Sequence, residues 1–345
     1  MIKLDKLVRG NILAMNPYSS ARDEYEGDGE IFLDANENPF DTGLNRYPDP
    51  YQRRLKARIA ALKDVRVEQL FLGNGSDEAI DLILRIFCEP GKDEIITLDP
   101  TYGMYQVSAA IQDIAVRKVP LSKSFELSAN SVLNALNSNT KVIFLCTPNN
   151  PSGNDLDHNE IKKIITQFSG IVVIDEAYID FTDASSFINN LDNHANLIVL
   201  QTFSKAWGMA ALRLGMAFAS PQVIRYFNKV KAPYNLSLLV QKEALMRLEQ
   251  ANRVSKMAEE LKKARVQLRK QIAMLSIVTE IFTSSANFLL VKFTDSKAVF
   301  EYLMDKEIIV RDRSKALHCE DCLRITVGTQ EENEQLLKAL NSFKI

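Results

Sequence analysis

Three runs in the middle of the chain, Val142-Ile143-Phe144-Leu145, Ile171-Val172-Val173-Ile174 and Leu197-Ile198-Val199-Leu200, are apolar at every position. A strand with one solvated face alternates polar and apolar residues, so an unbroken run reads as a strand covered on both faces. Leu70-Phe71-Leu72, Glu94-Ile95-Ile96-Thr97-Leu98 and Leu214-Gly215-Met216-Ala217-Phe218 are shorter candidates. Helix-period segments lie between them, among them Asp77 to Phe87 and Asn159 to Phe168. This alternation predicts an α/β fold with a mostly parallel central sheet covered by helices.

The pattern changes near residue 237. The stretch from Leu238 to Leu275 has no proline or glycine, which predicts a long helix broken at most once. Beyond it, Phe288-Leu289-Leu290-Val291, Ile308-Ile309-Val310 and Leu323-Arg324-Ile325-Thr326-Val327 read as strands, with helices near 296–305 and 331–342. The first thirty residues, with Asn16-Pro17 and Gly27-Asp28-Gly29, show no regular element and read as an arm. The expected division is an arm at 1–30, a large domain at 31–250 and a small C-terminal domain at 251–345; 345 residues suffice for both cores.

Lys+Arg 42 against Asp+Glu 44 is near neutrality, with no basic stripe interleaved with aromatics, so nucleic acid is not an expected partner. No apolar run reaches membrane-spanning length and the start has no signal-like core, which points to the cytoplasm. Cys88 and Cys146 lie in apolar stretches and read as buried hydrophobes. Cys319-Glu320-Asp321-Cys322, beside His318, lacks a second ligand pair; it reads as a reduced surface loop, and no metal is expected.

Ligands of open α/β sheets gather at the carboxyl ends of strands, and reactive residues stand there. Lys205 follows the 197–200 run in Thr202-Phe203-Ser204-Lys205-Ala206-Trp207-Gly208, and Asp175 follows the 171–174 run. A lysine among small and hydroxyl residues can hold pyridoxal 5'-phosphate as a Schiff base, and a carboxylate can keep its pyridine nitrogen protonated. A carboxylate at the end of Ile-Val-Val-Ile is poorly solvated and should have a cationic partner, which a pyridinium provides.

Gly73-Asn74-Gly75-Ser76-Asp77-Glu78 follows a strand and opens a helix, where free N–H groups suit an anion. Taken alone it is a glycine turn with Ser76 as N-cap. Glu78 occupies the place of a third glycine and no P-loop pattern occurs, which excludes dinucleotide and nucleotide-hydrolysis readings. Pro148-Asn149-Asn150-Pro151-Ser152-Gly153 forces a turn after the 142–147 strand and places Asn150 as a hydrogen-bond donor, with Tyr178 beside it. Arg213 suits a phosphate. Tyr102, after another strand end, either stacks on the cofactor ring or fills core. Arg311 follows the run Ile308-Ile309-Val310 and Arg324 lies within Leu323-Arg324-Ile325-Thr326-Val327; an arginine inside an apolar strand is costly unless it binds a carboxylate or phosphate, and a structural salt bridge is the competing account.

With these residues the chain resembles the fold-type-I pyridoxal-phosphate aminotransferases, and within them the histidinol-phosphate aminotransferases. The Asn-Pro-x-Gly, Asp-x-x-Tyr, Ser-Lys and Arg set carries the wider likeness. Asn36-Glu37-Asn38-Pro39 and Tyr102-Gly103-Met104-Tyr105 carry the narrower one, and Asn16-Pro17-Tyr18, Arg46-Tyr47-Pro48-Asp49 and Leu323–Gly328 extend it almost end to end. The resemblance implies Lys205 as Schiff-base lysine and proton shuttle, Asp175 on the pyridine nitrogen, Asn150 and Tyr178 on the phenolate oxygen, and Tyr102 on the ring. It implies Ser76, Asp77, Thr202, Ser204 and Arg213 at or near the cofactor phosphate. Tyr47 would reach the phosphate of a neighbouring subunit, making the active sites of a homodimer shared. Arg324 would take the glutamate carboxylate, and Tyr18 and Arg311 the substrate phosphate.

Ser152 replaces the usual threonine, Trp207 a common phenylalanine and Gln201 a frequent arginine; none touches a catalytic role. The implied reaction moves an amino group between L-glutamate and imidazole-acetol phosphate, giving L-histidinol phosphate and 2-oxoglutarate. A threonine-phosphate decarboxylase and an aromatic amino acid aminotransferase of the same fold are the rivals. A non-catalytic cofactor-binding protein is disfavoured, because no catalytic position is lost.

Overall fold

The computed structural model describes residues 3–19 and 31–344. Seven strands, β1 (Leu70–Asn74), β2 (Glu94–Asp99), β3 (Ala115–Pro120), β4 (Thr140–Cys146), β5 (Ile171–Asp175), β6 (Leu197–Thr202) and β7 (Leu214–Ala219), form one sheet in the order β1-β7-β6-β5-β4-β2-β3. Only β7 runs antiparallel to its neighbours. The three unbroken apolar runs are β4, β5 and β6, side by side at the centre. Their residues alternate between two cores. Ile143, Leu145, Val172 and Ile174 join the helices Arg53–Lys63 and His158–Gln167 on one face. Val142, Phe144, Ile171 and Val173 join the helices Gly75–Phe87, Met104–Ile111 and Pro221–Val230 on the other. Both faces are covered, which is why no polar residue interrupts these runs.

A second, antiparallel sheet contains β8 (Val278–Ile281), β9 (Phe288–Phe293), β10 (Arg311–Asp312) and β11 (Cys322–Thr326), in the order β10-β11-β9-β8. The helices Ser296–Asp305 and Gln330–Ser342 pack on it, as the sequence pattern predicts. The long helical stretch breaks once, giving Leu238–Leu248 and Ala251–Ile272. The second of these helices serves both sheets: Val254 and Ala258 lie in the core of the large one, Leu268 and Ile272 in that of the small one.

Register brings the strand ends together. Cys146 pairs with Asp175, and Asp175 with Leu200, so the loops after β4, β5 and β6 open on one edge. At the same edge the helix Gly75–Phe87 begins hard against β7: the Gly75 N–H donates to the Arg213 carbonyl at 2.7 Å. A Cβ on Gly215 would lie 2.1 Å from the Ser76 nitrogen. Only glycine allows this approach.

Four expectations need correction. Ile308-Ile309-Val310 is not a strand; the pairing begins at Arg311 and lasts two residues. The N-terminal segment is partly regular, with a 3-10 turn at Leu4–Lys6 and a helix at Gly10–Ala14. Leu4, Val8 and Ile12 recur at helical spacing and bury against the core around Ile83 and Phe87, and Arg9 pairs with Glu89 at 3.2 Å. Gly27-Asp28-Gly29 lies outside the described residues. Cys319 and Cys322 are buried rather than in a surface loop, because the turn that carries them folds into the large core. Ser76 is inside the first turn of its helix, and Asn74 is the N-cap.

Candidate active site

The loops after the central strands enclose a cavity of about 390 Å³ between the two sheets. Lys205, Asp175, Tyr178, Asn150 and Tyr102 all line it, as do Ser76, Asp77, Thr202, Ser204 and Arg213 at one end. Arg311 and Arg324 line it from the small sheet.

Asp175 is the most constrained group. Its residue is only 2% exposed. One carboxylate oxygen accepts the Tyr105 hydroxyl at 2.6 Å and the other the Ala177 N–H at 3.0 Å. Burial outweighs both hydrogen bonds and pushes its carboxyl up to about 6. Among the described residues it has no ion-pair partner.

Tyr105 is stacked on Phe144 at 4.7 Å, and Tyr102 meets it edge-on at 5.6 Å. The Tyr102 hydroxyl donates to Asp77 at 3.1 Å. Opposite, the Asn150 amide donates to the Tyr178 hydroxyl at 3.4 Å and accepts from Arg324 at 2.5 Å. Asn149 braces this loop from beneath, donating to the Pro100 carbonyl at 3.1 Å and to the Ser152 hydroxyl at 2.8 Å. The hydroxyl at position 152 is therefore used, whichever residue supplies it.

Lys205 sits in a turn closed by the Gly208 N–H on its carbonyl at 3.1 Å and the Met209 N–H on Phe203 at 3.0 Å. Its ammonium lies 5.8 Å from the centre of the Tyr178 ring. It is exposed to the open cavity yet surrounded by protein; desolvation first, and then Arg324, hold it below the ordinary lysine value.

At the other end, Ser76 and Asp77 belong to the first helical turn, whose N–H groups lack intrahelical partners. Arg213 adopts a left-handed backbone with φ 53°, rare outside glycine, and its guanidinium reaches Asp77 at 3.3 Å. Gly75 has φ 71°, and a Cβ there would come within 2.7 Å of that guanidinium. The Ser204 N–H donates to the Thr202 hydroxyl at 3.1 Å, and that hydroxyl donates to the Ser204 hydroxyl at 3.0 Å, which orients both at the cavity edge.

Two expected site residues do not line this cavity, and one of them, Tyr47, is expected to serve a neighbouring subunit instead. Tyr47 is 51% exposed and stacks on Tyr234 at 4.5 Å, and Tyr18 is 64% exposed; neither lines the cavity of its own chain. Two residues of the site escape the sequence reading. Tyr105 reads as core from its helical spacing to Tyr102, and only the fold shows its hydroxyl on Asp175. Arg313 lines the cavity beside Arg311, and its alternate spacing to Arg311 is the available signal.

The chain matches the family model "Aminotransferase class I and II" over residues 31–340. The chain belongs to the class I and II aminotransferases. It is 51% identical to a histidinol-phosphate aminotransferase of Cytophaga hutchinsonii, over 99% of each chain. It is also 51% identical to one of Parabacteroides distasonis over the full length of both. Its fold is that of the histidinol-phosphate aminotransferase of Sinorhizobium meliloti, solved in complex with pyridoxal-5'-phosphate: the TM-score is 0.79 at 23% identity, covering 86% of this chain and 82% of that one.

The residues of this aminotransferase fit that cofactor. A buried carboxylate without a cation suits a protonated ring nitrogen. A helix N-terminus, two hydroxyls and Arg213 suit a phosphate, at a cradle that a Cβ on Gly75 would fill.

The charge on Asp175 should carry a stability signature. Its carboxyl is raised in the folded chain, so the folded state binds the proton more tightly than the unfolded one, and stability of the cofactor-free protein should fall as pH rises from about 4 to about 6. Glu176, also raised to about 6 by burial, acts in the same direction. Asp175→Asn should therefore stabilise the cofactor-free protein at pH 7.5 by on the order of 2 kcal/mol, with the gain shrinking at pH 5. Denaturant melts at both pH values check this; no gain at pH 7.5 would contradict the burial cost.

Proposed function

We propose that this aminotransferase moves an amino group between L-glutamate and imidazole-acetol phosphate, giving L-histidinol phosphate and 2-oxoglutarate in histidine biosynthesis. The observation that carries the reading is the end-to-end likeness, at half of all positions, to histidinol-phosphate aminotransferases. Pyridoxal 5'-phosphate, when bound, supplies a ring that accepts the electron pair left on the substrate's reacting carbon.

The chain's own groups set up that chemistry. Asp175 holds the proton on the ring nitrogen, and Tyr105 fixes the carboxylate that does so. Asn150 and Tyr178 line the cavity where they would take the ring's phenolate oxygen, and Tyr102 where it would meet the ring. Ser76, Asp77, Thr202, Ser204 and Arg213 would hold the phosphate end. The Lys205 amine anchors the cofactor and carries a proton to and from the substrate carbon; its depressed proton affinity favours the neutral amine that both tasks need. Arg324 takes the glutamate carboxylate, and Arg311 with Tyr18 takes the substrate phosphate.

The working unit is a homodimer, to which Tyr47 contributes across the interface. Ile31, Leu33, Phe40 and Leu44 are each at least 60% exposed, and the groove between residues 35–48 and 234–239 holds Tyr47. Large apolar side chains left this exposed along one short segment favour an interaction face there. Among the described residues no helix is long and apolar enough to cross a membrane, and all four cysteines are free. Free cysteines are usual in a reducing compartment, and we place the protein in the cytoplasm on that ground.

Spectral half-reactions of the holoenzyme test the substrate. Histidinol phosphate and glutamate should each convert the cofactor, phenylalanine more slowly, and phosphothreonine should lose no carbon dioxide. Efficient decarboxylation would displace the aminotransferase assignment. Subunit mixing tests the dimer. Tyr47→Ala and Arg213→Ala homodimers should each be impaired, whereas a mixed dimer has one intact and one doubly damaged site. Activity should recover to roughly a quarter of wild type; no recovery despite subunit exchange would place Tyr47 outside the partner's site.

A further inference from the structure

Arg311 and Arg324 face one another in the antiparallel pairing of β10 and β11. Arg313 follows two residues beyond Arg311, and its N–H donates to the Cys322 carbonyl at 2.9 Å, which carries the pairing one step further. Residues two apart on an extended chain share a face, and like charges directly opposed across a strand pair destabilise it. All three guanidinium groups nevertheless line the same cavity. Among the described residues none of them has a carboxylate partner. The Arg313 Nε is buried with no hydrogen-bond partner at all. Burial first, and then Arg324 and Arg311, hold the Arg313 guanidinium below its ordinary value.

Asp312 is exposed and within electrostatic reach of Arg311 alone among the three, so the cluster keeps a positive excess over the cavity that suits an anion from outside. One carboxylate matches one guanidinium fork. A phosphate monoester carries close to two charges and three acceptor oxygens, and can engage more than one. The acids of the cavity cannot do this work: Asp77 is paired with Arg213, and Asp175 lies buried beneath Tyr105. A purely structural Arg313 would have its side chain tied to the turn that follows it; that turn is held instead by the Ala316 N–H on the Arg313 carbonyl at 2.8 Å, the Ser314 N–H on the Asp312 carboxylate at 2.8 Å and the contact of the Ser314 and Ser296 hydroxyls at 3.0 Å, none of which uses the Arg313 guanidinium.

We infer that Arg313 is a specificity-determining residue that joins Arg311 on the substrate's phosphate and discriminates it from a carboxylate, a role that rests on the phosphorylated substrate proposed above. Arg324, hydrogen-bonded to Asn150, stays with the carboxylate.

The test uses Arg313→Gln and Arg313→Lys holoenzymes, with stopped-flow half-reactions and calorimetric titration of inorganic phosphate. R313Q should lose roughly ten- to hundredfold in kcat/KM for histidinol phosphate, mostly through KM, and bind inorganic phosphate more weakly by a similar factor. Its glutamate half-reaction should stay near wild type, and R313K should recover part of the loss. Equal losses for both substrates, or an unchanged phosphate affinity, would overturn the role. If R313Q fails to fold, R313K decides: a loss confined to phosphate ligands supports the role, a uniform loss refutes it. A wild type inert toward histidinol phosphate would refute the substrate assignment instead, while the phosphate titration still reports on Arg313.

Discussion

A carboxylate buried at the end of a central strand, without a cation beside it, is among the more costly arrangements a folded chain can hold. Asp175 is such a group, and much of the architecture serves to keep it in place. It needs a strand covered on both faces to carry it, hence the unbroken apolar β5. It needs a donor that leaves room for a ring, hence the Tyr105 hydroxyl on a helix packed under Phe144. Its proton affinity is raised because burial outweighs two hydrogen bonds and the more distant Lys205, so the chain itself only partly balances this charge.

Opposite charge is distributed along the cavity with equal economy. Five positive side chains line it, Lys205, Arg213, Arg311, Arg313 and Arg324, against the two carboxylates of Asp77 and Asp175. Asp77 offsets Arg213 at the first turn of the helix Gly75–Phe87, where the free N–H groups add partial positive charge, and the excess of charged side chains falls on the β10–β11 ribbon. Two positive ends with a lysine and an aspartate between them would suit an anionic cofactor at one and anionic substrates at the other. The large sheet supplies the first, the small sheet the second, and the helix Ala251–Ile272, packed into both cores, holds their spacing.

Six strands of the large sheet were legible because burial leaves a compositional mark that needs no tertiary information; the edge strand β3 was not, because most of its side chains are exposed and it carries no apolar run. Lys205, Asp175 and Asn150 were legible for the same reason, since each ends or follows such a run. Tyr105 was not: a tyrosine at helical spacing on a buried face looks like packing, and its hydroxyl finds Asp175 only through the sheet order that sets β2 beside β4. The N-terminal helix was hidden by its shortness and by the Asn16-Pro17 that follows it. Ile308–Val310 misled, because three β-branched residues suggest a strand whether or not a partner edge is available, and here pairing starts one residue later. Cys319 and Cys322 looked exposed because their neighbours are charged, yet the turn places both in the core.

The most direct test of this account concerns the amine opposite Asp175. Borohydride reduction of the yellow holoenzyme, followed by peptide mapping, locates the lysine that holds the cofactor. The account predicts a single reduced adduct on Lys205. An adduct on any other lysine, with Lys205 unmodified, would contradict it.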